Sequence, residues 1–361
     1  MASRKSPFAV FLNSHRIKEI NKGNKAPTFK ELCNKLSPIW NTLTDAEKEK
    51  YKDLASKYNS TRVKKQPLKQ ISDQNNSYDF SNMQKYITQM FECISNNEEL
   101  LKKKFILLHI NCHTEEQEQY YFPAEIAALE FSLIDGISRT YHQVIGISEI
   151  YPRGFAGGMK QFSDLFHRIL CFDKHQDDYQ QILLEFSTFL KDEIINDADL
   201  KEGTLDLPCL FTIESEIGTN MINTQKSLER LYSTAYPRVD DERCKSIFKI
   251  GSVQKLLLEI KKKLNLHLNP QNLRSGNSVC DILESYGLGC KYHESRDISY
   301  ECSKAHIIQW MTNICKNILC ENTGLIIPKP GRHVPVTLRN GAKLIIENAH
   351  LPISREDLYL N

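Results

Sequence analysis

Tyr120-Tyr-Phe-Pro-Ala-Glu-Ile-Ala-Ala-Leu-Glu-Phe-Ser-Leu133, Asp135-Gly136 and Ile137-Ser-Arg-Thr-Tyr-His-Gln-Val-Ile145 decide the fold of this chain. The first and last pieces have strand length and composition. The Asp-Gly between them is a hairpin signal, because a two-residue turn needs backbone with positive φ. Just upstream, Phe105-Ile-Leu-Leu-His-Ile-Asn-Cys-His113 is a nearly continuous apolar run of strand length. Such a run suits a central strand covered on both faces. Helical spacing precedes it over 83–100 and follows over 160–171, 177–196, 218–232, 252–264, 278–287 and 302–320. A further strand is predicted at Pro208–Ile213, and a late hairpin at Thr337–Glu347 turns at Asn340-Gly341. Strands first, then mixed helices and strands, indicate a mixed α/β domain over 83–361.

The whole chain has 361 residues, 40% of them hydrophobic and 25% charged, as in ordinary globular proteins. No run approaches the ~18 apolar residues a membrane span needs. The N-terminus has no apolar signal segment, which places the protein inside the cell. Its eleven cysteines are scattered and odd in number, so they read as buried free thiols rather than a disulfide framework. The net charge of +2 hides an asymmetry. Residues 1–65 hold fifteen Lys/Arg against six Asp/Glu, and the remainder 32 against 39. A basic module on an acidic body points to a nucleic-acid-binding appendage.

That module reads as three helices. Pro7 opens the first, and Phe8, Phe11, Leu12 and His15 follow helical spacing. Thr28 caps the second over 28–41, with Glu31 in capping-box position and Phe29, Leu32, Leu36 and Trp40 on one face. Thr44 with Glu47 opens the third, whose inward face carries Tyr51, Leu54, Ala55 and Tyr58. Pro7, Phe8, Phe11, Pro27, Trp40, Lys50, Tyr51, Lys57 and Tyr58 together resemble an HMG box spanning 1–65. Such boxes bind the minor groove and kink DNA with an apolar wedge. The wedge position here is Ala9, too small to unstack a base step. The resemblance therefore implies salt-sensitive, shape-selective contact with RNA or distorted DNA, through Arg4, Lys5, Arg16, Lys18, Lys22, Lys25, Arg62, Lys64 and Lys65. Residues 66–82 are polar and aperiodic and read as a flexible linker.

In the body, Cys290-Lys-Tyr-His293 and Cys302 form C-x2-H-x8-C. Zinc takes thiolate and imidazole ligands in a tetrahedron, and three local ligands leave a fourth position to a distant residue or to water. A distant residue makes a structural site; water makes a catalytic one. His109 and His113 on the first strand, and Glu214 and Glu216 after the strand at 208–213, read as packed or solvated groups. Lys261-Lys-Lys263 reads as a solvated face.

Strand order and the Glu125-Ile-Ala-Ala-Leu-Glu-Phe pattern resemble the RNase H-like fold of DEDD-type 3′–5′ exonucleases. Those enzymes carry Asp-x-Glu on the first strand, where this chain has His109-Ile-Asn111. Their late His-x4-Asp falls near Cys302–Ile307 and is missing. Two-metal hydrolysis needs clustered carboxylates, so standard exonuclease activity is rejected. An HMG box, this fold without its carboxylates, and C-x2-H-x8-C together resemble the Maelstrom family. The residues carrying that resemblance are Pro123–Ile126, Gly136-Ile137, Tyr141-His142, Tyr151–Phe155 and the Cys290/His293/Cys302 block. The resemblance implies a closed structural zinc site made by Glu125, Cys290, His293 and Cys302, with His306 and Glu130 as rivals for the fourth place. It also implies a part in piRNA-directed transposon silencing in germ cells, in perinuclear nuage (cytoplasm) and nucleus, with RNA, DNA and piRNA-pathway proteins as partners. Two other functions compete: a single-strand RNA endonuclease using non-standard residues, and an HMG-box chromatin architectural protein.

Overall fold

Strand β2 (Pro123–Ser132) is buried along its whole length, because helices cover both faces of the sheet it belongs to. The structure is a computed structural model. It describes residues 7, 8, 10–12, 15, 29–45, 47–52, 55, 80–113, 121–147, 156–171, 173–203, 205–214, 219–237, 247–266, 285–321, 326–338 and 340–346. These fall into two units, Met1–Ser77 with Ser295–Asp297, and Tyr78–Glu294 with Ile298–Asn361.

In the larger unit β1 (Phe105–Cys112) pairs antiparallel with β2, which pairs antiparallel with β3 (Gly136–Val144). On its other side β1 pairs in parallel with β4 (Leu210–Thr212), and β4 with β5 (Ile250–Ser252). The order β3-β2-β1-β4-β5 makes a mixed α/β domain with a central mixed sheet, compatible with an RNase H-like domain. Two cores lie on opposite sides. Phe105, Leu107, Ala127, Leu129 and Phe131 pack with residues of helices α2 (Phe80–Glu92), α8 (Val253–Lys263) and α10 (Ser303–Glu321). Ile106, Leu108, Ile126 and Ala128 pack with α5 (Tyr179–Lys191) and α7 (Thr219–Ala235). Alternate residues of a strand face opposite ways, so each strand feeds both cores.

Most predicted elements are present with shifted ends. The helix predicted over 83–100 is two: α2 begins at Phe80, inside the stretch read as linker, and α3 (Asn97–Lys102) restarts after Asn96. The Asn96 side chain accepts from the Glu99 amide at 2.9 Å, capping the new helix. Helix α4 (Ala156–Leu165) lies earlier than expected, and α6 (Asp197–Glu202) and β5 were not anticipated. A three-residue strand, Ile-Gly-Ser, has no readable period. Residues 278–284 lie outside the described residues. The late hairpin is short, pairing β6 (Val336–Thr337) with β7 (Lys343–Leu344). Among the described residues the cysteines form no disulfide, and no helix is long and apolar enough to cross a membrane.

In the smaller unit residues 7, 8, 10–12, 15, 45, 47–52 and 55 are helical, and α1 spans Phe29–Thr42. The ring of Trp40 lies 5.5 Å from Phe8, 5.2 Å from Phe11 and 5.9 Å from Tyr51. These are the aromatics read as core. Thr44 and Glu47 form the expected reciprocal cap: the Thr44 amide donates to Glu47 Oε2 at 2.9 Å, and the Glu47 amide to Thr44 Oγ1 at 3.3 Å. Thr28, Ala9 and all nine basic residues assigned to nucleic acid lie outside the described residues.

Candidate metal centre

Glu125 is fully buried on β2, opposite Asn111 of β1 and Val144 of β3. Its two oxygens have separate surroundings. Oε2 accepts from Asn111 Nδ2 at 2.8 Å and from the Ser303 amide at 2.9 Å, so it holds the first turn of α10. Oε1 faces Cys302 Sγ at 3.2 Å, His142 Nε2 at 2.6 Å and His293 Nδ1 at 3.4 Å.

The other donors come from the segment 290–302, which is partly helical. Gly289 leads into it. A Cβ there would lie 2.8 Å from Glu294 Oε1 and 3.0 Å from the Ser299 Cβ, so the backbone passes too close for a side chain. Helix α9 (Lys291–Glu294) is a single turn. It places His293 Nδ1 3.1 Å from Cys290 Sγ, a contact that three-residue spacing on one turn allows. The Cys290 amide points at Cys302 Sγ from 3.3 Å, closing the loop on itself. His293 Nε2 donates to the His167 carbonyl at 3.0 Å. That bond leaves Nδ1 facing the cluster, the arrangement in which ligating histidines are usually held.

The structure thus brings Glu125, Cys290, His293 and Cys302 together, and adds His142. Ligand atoms of Glu125, His142, Cys290 and Cys302 all lie within 4.8 Å of one another. Two sulfurs, imidazole nitrogen and a carboxylate oxygen in a buried cluster are a donor set consistent with zinc. His306 and Glu130 do not join it. The His306 ring stacks on His109, centroids 4.6 Å apart. Glu130 accepts from Ser138 Oγ at 2.8 Å and Arg139 Nη2 at 2.8 Å, and pairs with Lys104.

The titratable groups of the cluster act on one another. Burial pushes the Glu125 carboxyl up, but His293, His142 and the Ser303 amide outweigh it and hold it well below the usual range. A hydrogen bond with Cys302 leads the effects that lower the Cys290 thiol. Burial and that same bond push Cys302 the other way. Burial pulls both histidines down, and their anionic neighbours reverse it, raising each to about 9. The lowered carboxyl and thiol and the raised imidazoles mean that the acidic groups draw positive charge into the pocket, whether protons or a cation.

His142 was missed as a site residue, although Glu125 and His142 flank a recognisable hairpin. The reason is a bulge between Glu130 and Phe131. Near the turn Phe131 pairs with Ile137, whereas beyond the bulge Ala127 pairs with His142. Without the extra residue the pairing would slip by one, and His142 would face the opposite core.

The positions of the missing exonuclease pair are filled. His109 Nδ1 lies 2.9 Å from Ser303 Oγ, and its ring meets the edge of Trp310 at 5.3 Å. Burial brings its pKa down to about 4, so it is neutral at physiological pH. Asn111 Nδ2 also donates to the Glu301 carbonyl at 3.0 Å. Glu214 accepts from Ser252 Oγ at 3.0 Å, beside the start of α8. Glu216 lies outside the described residues. The 261–263 lysines are not a uniformly solvated face: Lys261 is fully buried, and Lys262 pairs with Glu259 at 2.9 Å.

Known proteins are similar to this chain over most of its length. A family model, Maelstrom (piRNA pathway germ-plasm component), matches residues 114–340. The chain is 22% identical to a maelstrom homolog of Culex quinquefasciatus over 92% of its own length and 65% of the relative's. It is 24% identical to protein maelstrom 2 of Drosophila pseudoobscura pseudoobscura over 94% of the chain and 93% of that relative. A maelstrom homolog of Sus scrofa is 29% identical over 37% of the chain and 33% of its own length.

Proposed function

This chain belongs to the Maelstrom family, and from that premise we propose that it is a nucleic-acid-binding factor of piRNA-directed transposon silencing in germ cells. It works with RNA or distorted DNA and with piRNA-pathway proteins, in perinuclear nuage and nucleus. The body is an RNase H-like scaffold closed by a structural zinc ion. The N-terminal unit is an HMG box that contributes contact through its basic residues.

The observation that carries the scaffold reading is the division of labour on Glu125: Oε2 caps α10 while Oε1 faces both thiols' cluster. The ligands would be Glu125, Cys290, His293 and Cys302. Two ligand atoms with bonds of about 2.0 Å on one tetrahedral ion stand about 3.3 Å apart. The 3.4 Å between His293 Nδ1 and Glu125 Oε1 suits that spacing. When bound, zinc supplies a cross-link between β2, the 290–302 segment and α10. Four protein ligands leave no place for an activated water, so the centre holds structure rather than performing hydrolysis.

The test is elemental analysis of the purified full chain together with binding and cleavage assays on single-stranded RNA. The expected result is one zinc per chain and RNA bound without being cut. Cleavage that survives repurification and disappears with a point change would establish the endonuclease reading instead. In germ cells lacking the protein, transposon transcripts should fall again on expressing the wild type but not Cys302→Ser.

A further inference from the structure

We propose that His142 is a positioning residue of the metal centre. It donates Nε2–H to Glu125 Oε1, aims that oxygen at the ion, and closes the side of the centre that faces solvent. The inference rests on the zinc reading above and adds to it a fifth group that is not a ligand.

Distance separates the two histidines. His142 Nε2 lies 2.6 Å from Glu125 Oε1. That is just under the length of about 2.7–2.9 Å of a charge-assisted N–H···O hydrogen bond, and well inside the spacing of about 3.3 Å expected for two atoms held by one tetrahedral ion. His293 Nδ1, at 3.4 Å, is not so constrained, and its other nitrogen is already fixed by the His167 carbonyl. A carboxylate accepts at about four lone-pair sites. Oε2 spends its pair on Asn111 and Ser303. Oε1 then has one direction for the cation and one for His142.

Exposure gives the second argument. Glu125 and His293 side chains are 0% exposed, whereas that of His142 is 17% exposed. Cys302 is buried and Cys290 partly so. His142 and Cys290 therefore stand on the side where water or a chelator reaches the cluster. His142 gets there only through the bulge at Glu130/Phe131, which turns it onto the Glu125 face.

The experiment uses the full chain as wild type, His142→Ala, His142→Gln and His293→Ala. Zinc content, the rate of zinc transfer to a chromogenic chelator, and the visible spectrum of the cobalt(II)-loaded protein are read for each. His142→Ala should keep one metal per chain and the intense four-coordinate cobalt bands, yet lose zinc about tenfold faster or more, as removal of such an outer partner does. His142→Gln, whose amide nitrogen can reach Oε1, should restore slow release. His293→Ala should lose the four-coordinate bands. Release from His142→Ala at the wild-type rate overturns the proposal, as does loss of the cobalt bands in that variant, which would make His142 a ligand. Should His142→Ala not fold, His142→Asn, too short to reach Oε1, is compared with His142→Gln, and equal release rates overturn the proposal. A wild-type chain without zinc removes the underlying reading, a failure distinct from either.

Discussion

Replacing Glu125 by glutamine and by alanine separates the work of its two oxygens. Glutamine keeps the shape and leaves a carbonyl oxygen to accept from Asn111 Nδ2 and the Ser303 amide, now 2.8 and 2.9 Å from Oε2. Its amide nitrogen, facing Cys302 and His293, has no lone pair for a cation. Alanine removes both functions. It leaves the buried Ser303 amide bare at the start of α10. Both variants should therefore lose zinc, while only alanine should lose the cap. Two buried hydrogen bonds contribute about 0.5–1.5 kcal/mol each. Glu125→Ala should therefore be about 2 kcal/mol less stable than Glu125→Gln, before any cavity is counted. For a domain of this size that separates the melting temperatures by about 4–8 °C. Thermal melts followed by circular dichroism, with zinc measured on the same samples, read both quantities. Wild-type zinc content in Glu125→Gln would refute the assignment of Oε1. Equal melting temperatures for the two variants would refute that of Oε2.

Three further outcomes follow from the packing and charge. Leu129 is fully buried in the middle of β2, so Leu129→Ala should cost about 2–5 kcal/mol in chemical denaturation; a loss under 1 kcal/mol would contradict its place in the core. Burial pushes Glu130 up, but Arg139, Ser138 and Lys104 outweigh it and hold its pKa below the ordinary value. Its contribution is then complete above the unfolded carboxylate's pKa and is lost as pH falls through the folded one. The stability gap between wild type and Glu130→Gln should accordingly be widest near neutrality and close in acid; a constant gap speaks against the pairing. In the smaller unit Phe11 is 2% exposed and touches Trp40 and Tyr51. Phe11→Ala, at about 3–5 kcal/mol for such truncations, should open that unit, so that limited proteolysis of the full chain cuts within residues 1–65 and spares the body.

Local chemistry was what the sequence displayed. The apolar run at 105–113 gave β1, the Asp-Gly turn gave the β2–β3 hairpin, and the Thr44/Glu47 box holds as read. Cys290, His293 and Cys302 were visible because their spacing is short. Glu125 was not: nothing local distinguishes it from Glu130, which faces the other way and pairs with Arg139. Only the family resemblance pointed to it. His142 was hidden by a single bulged residue. The β5 strand and α9 were hidden by their length, since three or four residues show no period. The basic residues assigned to nucleic acid rest on charge and resemblance alone.

Asn111 and His109 stand on the face of β1 that meets Glu125 and α10. In the exonuclease pattern both positions would be acidic. A carboxylate at 111 would stand directly opposite that of Glu125, where the amide now donates at 2.8 Å. Two anions at that distance cannot both stay ionised without a cation between them, and one would be forced to keep its proton. A carboxylate at 111 would also take from Glu125 Oε2 the amide donor that Asn111 supplies. A carboxylate at 109 would lie under the stacked His306 ring and against Trp310, with Ser303 Oγ beside it. The Glu125-centred cluster and a paired-carboxylate site thus compete for the same face of β1 and β2. The amide at 111 and the imidazole at 109 suit one arrangement, in which α10 lies over the sheet and the carboxylate of the second strand holds its first turn.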